Sequence, residues 1–269
     1  MLTSIADRID RLFPRPRVEG RESHQAYSEW EFRTGQALIE RYPEQLGDLK
    51  GRRLLDIGCG LGGKTVVYSD AGAEVTGVDI DPVHCAGAVA YSGKMGCPAG
   101  FICGDAGSLP FPDASFDMVV ANDSMEHFPD PAAALGEIVR VTREGGRVFL
   151  FFTPWGSPLG SHLYDHIRTP WCHLLYSDEM LRRLLEIRFR ERGDEDPAGN
   201  AEKAIEEYNI ENNRISVAGY RRILESIEGI EVELEELIPP KFGFLKPLTR
   251  VPLIGEFFTG TVVSFLRKI

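Results

Sequence analysis

Leu54-Leu55-Asp56-Ile57-Gly58-Cys59-Gly60-Leu61-Gly62-Gly63-Lys64-Thr65 joins a short apolar run to a cluster of glycines and then to a segment with helical character. Glycines at that junction let the backbone turn sharply and approach a ligand with no Cβ in the way. The helix start that follows exposes unpaired N–H groups and favours negative charge. The next apolar run, Val75-Thr76-Gly77-Val78-Asp79, ends in an acid whose carboxylate suits both hydroxyls of a ribose. Alone, each piece reads as a turn or a helix cap. In the order strand, glycines, helix, strand, acid they read as a nucleotide site on a parallel sheet.

Outward from this stretch the pattern repeats. Candidate strands are Arg53–Ile57, Glu74–Val78, Gly100–Cys103, Asp117–Ala121 and Gly146–Phe152, most followed by turn residues and a helical segment. That alternation predicts a parallel sheet with crossover helices. Strand character returns at Ile230–Ile238 and Thr261–Arg267, which makes seven strands. The apolar segment from Leu253 to Leu266 would also suit a membrane-surface helix, but Thr261, Val262 and Val263 favour a buried strand. The expected organisation is an N-terminal helical cap over 1–50, a nucleotide-binding α/β core over 51–154, a helical lid inserted at 155–228, and closing strands over 229–269. Breaks at Pro14 and Pro16 divide the cap into two helices, the second over about Ser23 to Tyr42.

Composition limits the partners. The 269 residues include 30 Lys+Arg against 41 Asp+Glu, a formal charge of -11. Nucleic-acid binders usually carry a basic stripe, and none is expected here. Arg182, Arg183, Arg188, Arg190 and Arg192 are interleaved with acids and read as a solvated helix face. Cys59, Cys85, Cys97, Cys103 and Cys172 form no CxxC pair, so reduced thiols in a cytoplasmic protein are expected. Charged residues interrupt the N-terminal apolar positions, which argues against a signal peptide. No apolar run reaches the ~18 residues of a membrane span, so stable membrane insertion is not expected.

Two cofactor classes fit the glycine loop. Gly58, Gly60 and Gly63 satisfy the dinucleotide pattern GxGxxG, and S-adenosylmethionine is the alternative. Asp56 discriminates: a carboxylate just before the loop repels a pyrophosphate but tolerates a cationic amine and sulfonium. Cys103-Gly104-Asp105-Ala106, after the third strand, places a further carboxylate where an adenine amine can donate to it, although Asp105 alone also reads as a turn residue.

Residues 52–152 closely resemble the class I S-adenosylmethionine-dependent methyltransferases, most of all the branch acting on small molecules. The resemblance is carried in order by LDIGCGLGG, VTGVDID, GDAGSLPFPDASFDMVVANDSMEHFPDP and Thr142–Phe151. It implies a doubly wound, mostly parallel seven-stranded α/β fold with S-adenosylmethionine as co-substrate. It also implies that Asp56, Gly58, Gly60 and Gly62 hold the methionine end, Asp79 with Ile80 the ribose, and Asp105 with Ala106 the adenine. Asn122 would line the donor cleft, His127 would face the cofactor, and Arg33 would pair with the methionine carboxylate. Methyl transfer to a small molecule follows, with oxygen preferred to nitrogen or carbon; Asn122-Asp123-Ser124-Met125 is no amine-methylase signature. A nicotinamide oxidoreductase and a non-catalytic donor-binding module are the rival readings.

A hydroxyl acceptor needs a base, and histidine titrates near neutrality. His162, Tyr164, Asp165 and His166 cluster after the fifth strand. His162 or His166 is the candidate base with Asp165 orienting it, and helical spacing would place both rings on one face. Surface or lid histidines are the plainer reading. With His173 the cluster lacks the clear spacing of a zinc site, and no metal is expected.

Overall fold

The computed structural model describes residues 2–14, 19–20, 23–240, 246–251 and 254–269. In chain order the elements are α1 (Leu2–Asp10), α2 (His24–Arg41), α3 (Pro43–Leu46), β1 (Arg53–Ile57), α4 (Gly63–Asp70), β2 (Glu74–Asp79), α5 (Pro82–Met95), β3 (Ala99–Cys103), β4 (Phe116–Asn122), α6 (Pro131–Val141), β5 (Thr142–Phe152), α7 (Cys172–Leu175), α8 (Asp178–Arg192), α9 (Pro197–Glu211), α10 (Val217–Glu225), β6 (Ile230–Ile238) and β7 (Thr261–Lys268). Three helices open on the same dipeptide: Asp81-Pro82, Asp130-Pro131 and Asp196-Pro197. In each the aspartate side chain accepts a first-turn N–H, and the proline occupies a position that needs no donor.

The seven strands form one sheet in the order β3-β2-β1-β4-β5-β7-β6. β1 pairs in parallel with β2 and β4, β2 with β3, and β4 with β5. Leu54, Leu55, Ile57 and Met118–Ala121 are buried, as strands covered on both faces require. The sheet's direction of winding reverses between β1 and β4, and open α/β sheets bind ligands outside the carboxyl ends of such strands. β5 starts at Thr142, ahead of the expected Gly146. Phe116 pairs with Thr142 and Met118 with Arg147, so a bulge absorbs the residues between, with Gly145 at φ +69. β7 runs antiparallel. Lys268 at its end donates to the carbonyls of Val139 and Thr142 at the start of β5, while Gly260 N donates to Ile238 O and Ile269 N to Gly229 O beside β6. Val262, Val263, Phe265 and Leu266 are fully buried, so this apolar stretch is a strand from Thr261; Leu253 lies outside the described residues.

The chain divides into two compact units. An α/β unit comprises 19–152, 222–236 and 263–269, and a helical unit comprises 1–18, 153–221 and 237–262. The expected cap over 1–50 is therefore split: α2 and α3 belong with the sheet, α1 with α8. The stretch set apart at 155–228 differs too, since 222–236 joins the sheet and 237–262 joins the helices.

The helical unit explains the split. Leu181, Leu184, Leu185, Arg188 and Phe189 share the buried face of α8 and pack with Ala6, Ile167, Ala201 and Ile205. Arg188 is the exception among the five arginines. Arg182, Arg183, Arg190 and Arg192 pair with acids at the surface, whereas the Arg188 side chain is 7% exposed. Its Nη2 donates to Asp10 Oδ2 at 2.8 Å and to Asp7 Oδ1 at 2.7 Å. Asp10, fully buried, also accepts from Arg168 N, Thr169 N and Thr169 Oγ1. A buried guanidinium requires this partner, and that ties α1 to the helical unit. Asp10→Ala is expected to destabilise the protein by about 1.5–3 kcal/mol, the cost of removing one charged hydrogen-bond partner of a buried guanidinium that keeps Asp7 and Glu191. Urea unfolding measures this. The double variant Asp10→Leu/Arg188→Met should lose less than Asp10→Ala alone; an equal or larger loss would refute the assignment.

Candidate functional site

β1 delivers Asp56 and the glycine loop to the carboxyl edge of the sheet. Gly58, Gly60 and Gly62 take φ values of +69, +53 and +80, which side chains disfavour. Gly58 N and Cys59 N donate to Val78 O, and Gly60 N donates to Asp79 Oδ2 at 2.8 Å. The other oxygen, Asp79 Oδ1, accepts from Asp81 N at 2.9 Å and lies 3.3 Å from His84 Nδ1. Burial would raise the Asp79 carboxyl, but the bonds from His84, Asp81 and Gly60 outweigh it and hold the group below the usual range. The bond to Asp79 raises His84 in return. A carboxylate offers about four lone-pair sites, so Asp79 holds the loop and retains acceptor capacity.

On the other side of the loop, α2 lies against the first turn of α4. A Cβ on Gly63 would come within 2.3 Å of Ser28 O and 2.5 Å of Glu31 Cβ. Ser28 Oγ donates to Leu61 O at 3.1 Å. This approach buries Glu31 beside the loop, near the backbone N–H of Gly63. Lys64, also buried, donates from Nζ to Asp123 Oδ2 at 2.5 Å. Burial works against the Lys64 ammonium, and Asp123 and Glu31 more than offset it, so its pKa is raised. Asp56 accepts from Thr65 Oγ1 at 2.7 Å; burial pushes it up to about 6 against the pull of Thr65 and Lys64. Burial likewise pushes Glu31 up to about 7, with Lys64 opposing and Asp56 and Asp123 adding to the rise. From β4, Asn122 Nδ2 donates to Tyr68 Oη at 2.9 Å, and its buried Oδ1 has no partner. Ser124 Oγ donates to Ile57 O, closing the β4 loop onto β1.

The α/β unit thus gathers Asp56, Gly58, Gly60, Gly62, Asp79 and Asn122. Ile80 follows Asp79 and is exposed. Asp105, exposed, accepts from Gly107 N at 2.8 Å, and Ala106 is half-buried in the same turn after β3. His127 ends the 3₁₀ turn Met125–His127 after β4. Arg33 is not brought to the site: it points to solvent, 60% exposed, with Glu19 3.7 Å away. His162, Asp165 and His166 belong to the helical unit. The helix expected there is a single 3₁₀ turn, Leu163–Asp165, with His162 left-handed at φ +58 before it and His166 after it against the Phe189 ring. The helical spacing that would align the two rings is absent. Glu31, Lys64, Asp123 and His84 were missed; the buried series Ser28, Glu31, Gly35 and Leu38 on α2 is the signal that exposes Glu31.

Residues 55–150 match the family model described as a methyltransferase domain. Over these residues the chain carries a methyltransferase domain. An uncharacterized methyltransferase of Mycobacterium tuberculosis (strain ATCC 25177 / H37Ra) is 40% identical over 114 residues, 42% of this chain and 43% of that protein. The chain therefore spans less than half the length of the curated relatives it matches. An S-adenosylmethionine dependent methyltransferase from Mesorhizobium loti superposes with a TM-score of 0.54 at 16% identity, over 91% of this chain and 100% of that one. The magnesium protoporphyrin IX methyltransferase of Synechocystis PCC 6803, solved with bound SAH, gives 0.54 at 16% identity over 99% and 94%. At that identity the likeness concerns the fold.

The contact of α2 with α4 is the tightest test of this geometry. Gly63→Ala is expected to cost about 1–3 kcal/mol, since the methyl meets backbone that has no room to move. Gly35→Ala, whose methyl would lie 3.0 Å from Val67 Cγ2, should cost less. Thermal unfolding compares them; equal shifts would show that α2 yields freely.

Proposed function

We propose that this chain transfers the methyl group of S-adenosylmethionine to a small-molecule acceptor, with oxygen preferred to nitrogen or carbon. The observation that carries the reading is the pair of buried carboxylates, Asp56 and Glu31, beside a glycine loop at the sheet's switch point. Two such groups repel a pyrophosphate and suit a ligand bearing positive charge. The donor supplies a methyl group already activated on a sulfonium, so what the chain must provide is position and exclusion of water. In this reading Asp56 and the glycine loop face the methionine end. The spare lone pairs of Asp79 accept from the ribose hydroxyls, and the turn of Asp105 and Ala106 receives the adenine. Asn122 Oδ1, a buried acceptor with no partner among the described residues, fits the same ligand.

Calorimetry with S-adenosylmethionine, S-adenosylhomocysteine and NADH separates this reading from the oxidoreductase: the first two should bind and the third should not. Asp79→Ala should weaken S-adenosylhomocysteine by about 1.5–3 kcal/mol, the worth of hydrogen bonds to a charged group. Parental affinity in that variant would refute the ribose assignment.

For a hydroxyl acceptor, His162 or His166 is the proposed base, with Asp165 as its orienting partner. A positioned base contributes about 10²–10⁴-fold. Replacing the true base by Asn should lower turnover by that factor and remove the rise of rate with pH near neutrality, with donor affinity unchanged. Two single variants that keep the parental rate and profile would place proton removal elsewhere.

A further inference from the structure

We propose that Glu31, on α2, is the acceptor for the α-ammonium group of the methyl donor, so that a helix preceding the sheet reads the amino-acid end of the ligand. The inference rests on the methyltransferase reading above and adds to it a residue outside the glycine loop.

Glu31 is 7% exposed, a rare state for a glutamate without an ion pair or hydrogen bonds to both oxygens. Its surroundings satisfy only part of the group. The backbone N–H of Gly63, at the first turn of α4, favours the charged form of the carboxylate. Oε1 lies 3.9 Å from the place a Cβ would take on Gly60, so the group sits against the loop itself. Oε2 is buried with no hydrogen-bond partner among the described residues. The nearby cation, Lys64, gives its short hydrogen bond to Asp123 instead. Asn122 Oδ1 is a second buried acceptor without a partner at this edge of the sheet. Unsatisfied buried polar atoms need a reason. Both orphans here are acceptors, and the carboxylates Glu31, Asp56 and Asp123 outnumber Lys64. A compact cation with several N–H donors complements that set, and a primary ammonium is such a group. Arg33 has no part in it, being at the surface.

The charge environment adds a proton to the event. Glu31 is faced by Lys64 from α4, Asp56 from β1, Asp123 after β4 and, more distantly, His84 from α5. Burial in this setting pushes its carboxyl up to about 7. An arriving ammonium favours the ionised form, so binding near pH 7 releases a proton, and affinity for an amine-bearing ligand rises with pH until Glu31 is ionised beforehand.

The test uses two ligands on the full chain. S-adenosylhomocysteine carries the amino-acid end, and 5′-deoxy-5′-methylthioadenosine is the same nucleoside thioether without it. Glu31→Gln keeps the shape but loses the charge. It should weaken S-adenosylhomocysteine by about 10- to 100-fold, as expected for a hydrogen bond to a charged group, and leave methylthioadenosine unchanged. Calorimetry at pH 7 in buffers of different ionisation enthalpy should count a proton released by the parent with the first ligand, and none with the second. Equal loss on both ligands would assign Glu31 a structural role and overturn the proposal. So would a variant that keeps the parental preference. A parent that binds neither ligand would overturn the methyltransferase reading itself; binding of both without discrimination would overturn this proposal alone.

Discussion

The backbone of α2 crosses the first turn of α4 at a distance that only a glycine permits. With Gly63 in place, Ser28 O and Glu31 Cβ occupy the volume any other residue would claim, and the Ser28 hydroxyl binds Leu61 O inside the loop. The far end of α2 is fixed as firmly. Tyr42 packs on Phe149 and Phe265, which stack with centroids 4.4 Å apart, and its hydroxyl donates to Glu236 on β6. Anchored at both ends, the helix holds Glu31 and its neighbours still. Such rigidity is what a site that works by positioning requires.

That contact also determines the electrostatics. Moving α2 outward would let water reach Glu31, Asp56 and Lys64 and remove the reason their pKa values are displaced. The buried charges are tolerated because most have partners: Thr65 for Asp56, Asp123 for Lys64, and the backbone N–H groups of Gly60 and Asp81 for Asp79. Loop conformation, helix packing and ionisation are therefore one arrangement.

The strands and the glycine loop were legible because they combine two local signals, apolar runs and positive-φ glycines at a strand-to-helix junction. Seven strands are present near their expected positions, and the family resemblance over 52–152 agrees with the domain matched over 55–150. What could not be read depends on distant partners. Arg188 reads like its neighbours in α8, and Asp10 and Asp7, far along the chain, make it a buried anchor. That pairing splits the N-terminal helices between two units. Arg33 is what the family resemblance implies for the preceding helix, and helical phase turns it to solvent two positions after the buried Glu31. The segment around His162 carries helix-like spacing, yet His162 and Trp171 both adopt positive φ and interrupt it.

The place of β7 has a consequence for synthesis on the ribosome. Residues 261–268 follow every other strand in the chain, yet they lie inside the sheet, between β5 and β6. Until they emerge, the apolar edge of β5, with Val148, Phe149 and Leu150, has no final neighbour, and exposed strand edges invite pairing with other chains. β6 is the strand waiting on the other side. It carries Glu231, Glu233, Glu235 and Glu236, and repulsion among these charges disfavours its premature pairing with another copy of itself. The same row of acids on β6 opposes edge-to-edge pairing in the finished sheet, where β6 is the outermost strand.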